Sequence, residues 1–359
     1  MGLVAESWNG QAAKDAAMFE AGEEMACGKP SCDSVHINEV RGRGFPCLLM
    51  ILWLHDDVSR SVCPMPIGDF YALAAAFSWS ISVVLMRVSG FQIPPLPLTF
   101  FKNCVALVGF AVVLLWQGES WWQEISGGAC LRLIASGVLG ISLADTMIAA
   151  ALNRLGASLH ALADCAYSPA IACVGFLMFG EVLGPWELVG GALVVSGVFV
   201  GAVMTPEVKK PRDLWVGFVL AASAHIIMAI GILMIRDVYR ETSIVWVSAV
   251  RFLVASVVML LWARVKFPKV WRKMILVGFQ RRDTWKTMIP MAVFGPFLAT
   301  LSWVAGFKYL EAGRAAIFNQ MSTVFIIGLA CLFLKERMTV RKWIGTALAV
   351  AGSVLVALS

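Results

Sequence analysis

Charged side chains are scarce in this chain. Asp, Glu, Lys and Arg make up 14% of its 359 residues and hydrophobic residues 59%, where soluble domains run at roughly 25% charged and 45–50% apolar. That excludes an ordinary soluble globular protein, and it excludes disorder for the bulk of the chain. Histidine and tyrosine are also rare, four of each against 14 Trp and 21 Phe. Such a balance suits lipid-facing surface rather than a polar site. The nine cysteines form no paired framework. Cys104, Cys130, Cys165, Cys173 and Cys331 lie in or beside apolar segments, where they read as small apolar fillers. Cys27 and Cys32 lack metal-ligand spacing and partner histidines. There is no nucleophile elbow, no phosphate loop and no nucleic-acid-binding motif. No metal, no cofactor and no nucleic-acid partner is therefore expected. The expected class is a polytopic helical membrane protein.

The charges that do occur are unevenly spread. Residues 1–66 carry nine acids against five bases, and the remainder of the chain is strongly basic. This first segment has no apolar period, and its longest apolar stretch, Cys47–Leu54, is eight residues, where a spanning helix needs about 20. It is read as a separate extension. Either it is a disordered tail, or initiation occurs near Met65, where MPIGDF leads directly into the first apolar stretch; the second reading is preferred.

Beyond Met65 the sequence divides into ten apolar stretches, at about 68–88, 97–117, 131–152, 157–179, 186–204, 214–235, 243–263, 287–309, 312–334 and 340–358. Each is near the length that crosses a bilayer. Gly137 and Gly140 in the third, and Pro290 and Pro296 in the eighth, predict local bends. The connection 264–286 reads as a loop rich in Lys and Arg.

The most informative pattern is an internal repeat. Gly140–Gly201 aligns with Gly295–Val356 at a constant shift of 155, so that FGEVLGPWELVGGALVV reads against LKERMTVRKWIGTALAV. Asp145 meets Thr300, Asp164 meets Asn319, Glu181 meets Glu336, Gly190 meets Gly345 and Gly197 meets Gly352. Upstream, at a shift of 149, Arg87 meets Arg236 and Lys102 meets Arg251. The domain organisation expected is thus 1–66, then two homologous halves, 67–205 and 213–358. Five spans per half is odd, so the halves must be inverted across the membrane. Loop charges agree. Glu119 and Glu124 follow the second span and Glu181 and Glu187 the fourth, whereas the equivalent loops of the second half are basic. The fold class expected is an all-α polytopic membrane protein with ten transmembrane helices as two inverted five-helix repeats.

These residues resemble the drug/metabolite transporter superfamily, specifically the ten-span EamA-type family, over roughly 66–358. The resemblance is strongest in LGASLHALADCAYSPAIACVGFLMFGEVLGPWELVGGALVVSGV and LEAGRAAIFNQMSTVFIIGLACLFLKERMTVRKWIGTALAVAGSV. Each carries a short turn, a small-residue helix, a polar kink, a Glu at the helix end and a Gly-rich last span. The resemblance implies a basket of spans one to four and six to nine around a central cavity, with five and ten at the periphery. It also implies secondary transport of small metabolites, often export, in a bacterial inner (plasma) membrane. It implies cytoplasmic termini as well, but the positive-inside rule gives the opposite. One set of loops holds 17 Lys and Arg and the other five, which turns the termini away from the cytoplasm.

Ionisable residues at lipid depth need a partner, an interior or a function. His160, Asp164 and Tyr167 share one helical face and read as a proton relay or cation site, or else as a structural hydrogen-bond cluster. His160 lies near the start of its span and could be wet. Asp145 is a carboxylate deep in span three, suited to a substrate amine or to burial as the neutral acid. Asn319 and Gln320, with Thr323, give span nine a polar face. Lys102 and Arg251 could bind a substrate carboxylate, close ion pairs with Asp145 or Asp164, or snorkel to an interface. Trp79, Trp246 and Trp303 are candidate cavity walls. Glu181 and Glu336 at span ends suit capping or gate pairing. The small-residue faces Gly197/Gly201 and Gly345/Ala349 would seat spans five and ten on the bundle or support a homodimer.

The reading is a transporter whose partners are a small polar or amphipathic solute, such as an amino acid or drug-like compound, and the lipid bilayer. Solute would bind between spans three, four, eight and nine. The alternatives are an intramembrane enzyme using Asp145, His160 and Asp164 as acid–base groups, or a non-transporting receptor or scaffold.

Overall fold

The computed structural model describes residues 67–180, 184–202, 210–309 and 312–358. The 1–66 extension and Glu181 lie outside the described residues. Every regular element among those described is helical. The helices are α1 (Ile67–Gly90), α2 (Pro95–Gln117), α3 (Gly127–Leu155), α4 (Ala157–Phe179) and α5 (Pro185–Gly201). After them come α6 (Pro211–Leu233), α7 (Ile244–Lys266), α8 (285–309), α9 (312–334) and α10 (Val340–Leu358). Six of them, α1–α4, α6 and α7, are long and apolar enough to cross a membrane, and α5 and the 321–334 part of α9 are apolar but shorter. Large apolar side chains such as Leu115, Leu177, Leu188, Phe199, Val219 and Leu261 point outward. In water that surface would be a liability; in lipid it is the natural exterior. The protein is an integral membrane protein.

Both expected bends are present as π-helical turns, Gly137–Leu143 in α3 and Val293–Ala299 in α8. Pro296 has no amide hydrogen, so the α-helical ladder must break there, and slipping the register is one way to accommodate it. In α3 the cause is close approach. A Cβ on Gly137 would sit 2.9 Å from the Arg251 carbonyl, and one on Gly231 of α6 would sit 3.0 Å from the Gly140 amide. Two other expectations need correction. The third span begins earlier than read, at Gly127, because Ser126 caps the helix by accepting from the Ala129 amide. The basic connection is not a structureless loop: it folds into short helices, Trp271–Ile275 and Val277–Gln280, followed by a turn of 3-10 helix. Ile275 and Phe279 there pack against Phe100 and Met259, so apolar burial holds the segment down between its charges.

The packing repeats the sequence repeat. Ser136 of α3 donates to the Gly231 carbonyl of α6 at 2.5 Å, and Ser82 of α1 donates to the Met291 carbonyl of α8 at 2.8 Å. Shifting 136 by 155 gives 291, and shifting 82 by 149 gives 231. The two contacts are one contact with its members exchanged. The same holds between α5 and α10. Gly190 lies against the Gly352 carbonyl and Gly197 against the Gly345 carbonyl, each with a would-be Cβ at 2.5–2.6 Å. Pairs 190–352 and 197–345 run in opposite directions, so α5 and α10 are antiparallel while mapping onto each other. The operation relating them is a two-fold rotation perpendicular to the helices. These glycines are occupied within one chain; a homodimer would have to use another surface.

Loops sort onto two faces. Arg281 reaches Gln92 at 3.0 Å, Arg87 donates to the Asn153 carbonyl at 2.7 Å, and Glu336 accepts from the amides of Ala157 and Ser158, both at 2.8 Å. The connections α1–α2, α3–α4, α7–α8 and α9–α10 therefore share one face, the basic one. On the other face Trp246 donates to the Trp121 carbonyl at 2.9 Å and Arg132 pairs with Asp237 at 3.3 Å.

Candidate substrate site

Between the helices lies a cavity of about 200 Å³. Each π-turn contributes to its wall, Gly140 and Ile141 from one and Pro296 and Ala299 from the other. π-turns inside α-helices often mark functional positions because they re-aim side chains and free backbone groups. Trp79, Met228, Phe252 and Trp303 add apolar surface, and Ser322 and Thr323 come from α9. The cavity reaches the acidic-loop face through Tyr239, on the short helix Arg236–Glu241 between α6 and α7. Among the described residues, none from the basic-face connections lines it. There the helices are closed, most visibly by Glu336, whose carboxylate accepts from two backbone amides at the start of α4 and from the Ser158 hydroxyl at 2.6 Å. A carboxylate at a helix N-terminus meets both unpaired N–H groups and the positive end of the helix dipole.

Three polar groups face the cavity. In the first, the Lys102 ammonium lies 2.5 Å from Asp145 Oδ2, with the side chains 3% and 11% exposed. Lys102 stands seven residues into α2, about 10 Å from its basic-face end, and Asp145 lies just beyond the π-turn of α3, so a thin helix meets a long base. In the second, Asp164 is held between two histidines. His225 of α6 approaches its Oδ1 at 3.0 Å and His160, one turn back on α4, at 3.4 Å. The Tyr167 ring lies 5.8 Å from that of His225. In the third, Arg251 of α7 donates from Nη1 to the Tyr239 hydroxyl at 2.7 Å.

A model of the EamA-like transporter family matches residues 66–202 and again 215–358. The chain belongs to the EamA-like transporter family. It is similar to an uncharacterized transporter of Synechocystis sp., 24% identical over 294 residues, covering 77% of this chain and 85% of that one. A protein of known crystal structure has the same fold, with a TM-score of 0.59 at 18% identity, over 81% of this chain and 96% of that one.

The EamA-like fold gathers Lys102, Asp145, Asp164, Tyr167 and Arg251 around one cavity. His160 lies behind Asp164 and is fully buried rather than wet. Asn319 and Gln320 are on α9, and their side chains lie outside the described residues. Asp145 is not a lone carboxylate, because Lys102 neutralises it. Trp79 and Trp303 line the cavity, but Trp246 does not: its indole N–H is spent on the Trp121 carbonyl at the acidic-loop face. The site is also wider than spans three, four, eight and nine, since α1, α2, α6 and α7 all contribute. His225 and Tyr239, two polar residues of the site, escaped sequence reasoning. His225 carried a usable signal, an ionisable residue in the middle of an apolar stretch, but no polar residue stands three or four positions from it on its own helix. Tyr239 sits in a short charged connection and gave none.

Proposed function

We propose that the chain is a secondary-active transporter that exports a small polar or amphipathic solute across a bacterial inner membrane by alternating access. Its ten helices form two inverted five-helix halves, 67–205 and 213–358, and rocking one half against the other exposes the cavity to each face in turn. The observation that carries this reading is the position of the cavity: both π-turns, exchanged by the repeat, line it, and among the described connections only the one holding Tyr239, on the acidic-loop face, contributes to its wall. Inverted repeats around a central site are an established route to alternating access.

Asp164 is the coupling group. It is a carboxylate at lipid depth, shared by two imidazoles that can pass a proton to or from it. Asp145, with its charge cancelled by Lys102, is structural support for the cavity wall. In proteoliposomes loaded with a solute mixture, an imposed pH gradient is expected to drive flux of unchanged solute. Asp164→Asn is expected to abolish the dependence on the gradient while leaving the protein folded. Gradient-driven flux persisting in Asp164→Asn would remove the coupling role. Chemical conversion of the solute, read by mass spectrometry, would move the protein to an intramembrane enzyme, and binding without flux to a receptor.

A further inference from the structure

The repeat exposes an imbalance of charge. Lys102 and Arg251 are equivalent, and so are Asp145 and Thr300. In the first half the base meets its acid at 2.5 Å. In the second half the position of that acid is a threonine, and Thr300 also lines the cavity. Arg251 consequently has no carboxylate within ion-pair distance among the described residues. It is nonetheless 93% buried, since its exposure is 7%. Of its donors, Nη1 is used by Tyr239 and Nε has no hydrogen-bond partner. Nη2 lies against Gly140, where a Cβ would sit 3.0 Å from it.

A buried guanidinium without a counter-ion is costly, and the cost falls when an anion arrives. Arginine presents its donors in a planar fork that matches a carboxylate. The Tyr239 hydroxyl, which accepts from Arg251, keeps its own proton free to donate to the same anion. Most of the cavity's surface is apolar, with Ile141, Met228, Phe252 and Trp303 among its walls beside Asp164, Tyr167 and His225. The volume of about 200 Å³ is below the roughly 300–1,000 Å³ of sites for drug-sized ligands.

We infer that Arg251 is the anchor for the carboxylate of a small, apolar-bodied organic acid, the substrate standing in for the acid that the second half lacks. The inference rests on the transporter reading for its substrate, and on the vacant ion-pair position for its chemistry. Lys102, its equivalent, is excluded from that role by Asp145.

The test uses the purified full-length protein in detergent. The probes are isovalerate and benzoate against their uncharged amides, with tryptophan fluorescence as the readout, since Trp79 and Trp303 line the cavity. Carboxylates are expected to bind at least tenfold more tightly than amides. Arg251→Gln should weaken carboxylate binding by roughly thirtyfold or more and erase the discrimination. Thr300→Asp should do the same by supplying the missing acid, and it keeps the test valid where Arg251→Gln fails to fold. Equal affinity for acid and amide in the unaltered protein, no response to either acid, or discrimination surviving in both variants overturns the assignment. Flux in proteoliposomes separates the two readings. Acid and amide moving equally overturns the anchor and leaves the transporter standing. Arg251-dependent acid binding with no flux of any probe upholds the anchor and overturns the transporter.

Discussion

The Lys102–Asp145 pair offers the sharpest check on which cavity charges are structural. At 2.5 Å and an effective dielectric near 20, the gross attraction is about 7 kcal/mol, and most of it is offset by desolvation. The pair is therefore worth little net, but either charge alone is expensive. Asp145→Leu leaves an ammonium on a side chain only 3% exposed, which is expected to cost about 3–5 kcal/mol. Lys102→Met leaves a carboxylate with 11% exposure, which the cavity can hydrate, so the loss should be smaller. The double variant Lys102→Met/Asp145→Leu removes both desolvated charges, and its stability should return to within about 1 kcal/mol of the parent. A double-mutant cycle measured by equilibrium denaturation in detergent should then show a coupling of about 3–6 kcal/mol, the sum of the two single losses less that of the double variant. The double variant should also retain solute flux, because neither group is assigned to the substrate. Two single variants with small, additive effects would refute the structural role. So would a stable double variant that has lost all flux, which would return one of the two residues to the substrate.

Two further outcomes follow from the packing. Gly197→Val should be among the most damaging substitutions in the chain, since its Cβ would meet the Gly345 carbonyl at 2.5 Å and the Ala349 amide at 2.7 Å, both backbone atoms that cannot step aside. Gly328→Ala, with nothing within 4 Å, is the control and should leave the melting temperature unchanged or slightly raised; equal behaviour of the two would overturn the close-packed α5–α10 seam. A reporter fused after Ser359 should report a non-cytoplasmic terminus, because the basic loops share the opposite face from it. Activity typical of a cytoplasmic fusion would reverse the orientation.

Much of the scaffold could be read from the sequence because its signals are local or repeated. The bend at Pro296 follows from a residue with no amide donor, that at Gly140 from a small residue that lets a neighbouring helix approach closely, and the inversion follows from an odd number of spans in a repeat. The contacts could not be read in the same way. Lys102 has a choice of two acids at similar depth, and only the rotation of α2 against α3 gives it Asp145. Trp246 has the same composition signal as Trp79, yet a backbone carbonyl 125 positions away takes its N–H. His225 was missed because its partners lie on α4, and periodicity along α6 carries no trace of them. The basic connection looked like a loop because charge dominates its composition, while a few apolar residues determine its fold.

The repeat also separates scaffold from chemistry without reference to any other protein. Positions that hold small or helix-breaking residues in both halves, Gly140 with Gly295, Gly190 with Gly345 and Gly197 with Gly352, are all points of backbone contact or bending. They must be alike because the same helix approach is made twice. Several polar groups at the cavity differ between halves. Asp145 is matched by Thr300, Asp164 by Asn319, and His225 by Ala76. A two-fold scaffold that moves between two states exchanged by its rotation axis needs its hinges paired, since each must do in one state what its equivalent does in the other. A substrate has no such symmetry, and one bound at the axis meets both halves at once. Under the proposed function its two ends would select different residues at equivalent positions, and the departures from symmetry, Asp164 against Asn319 and Asp145 against Thr300, are where charge would be exchanged with what the cavity carries.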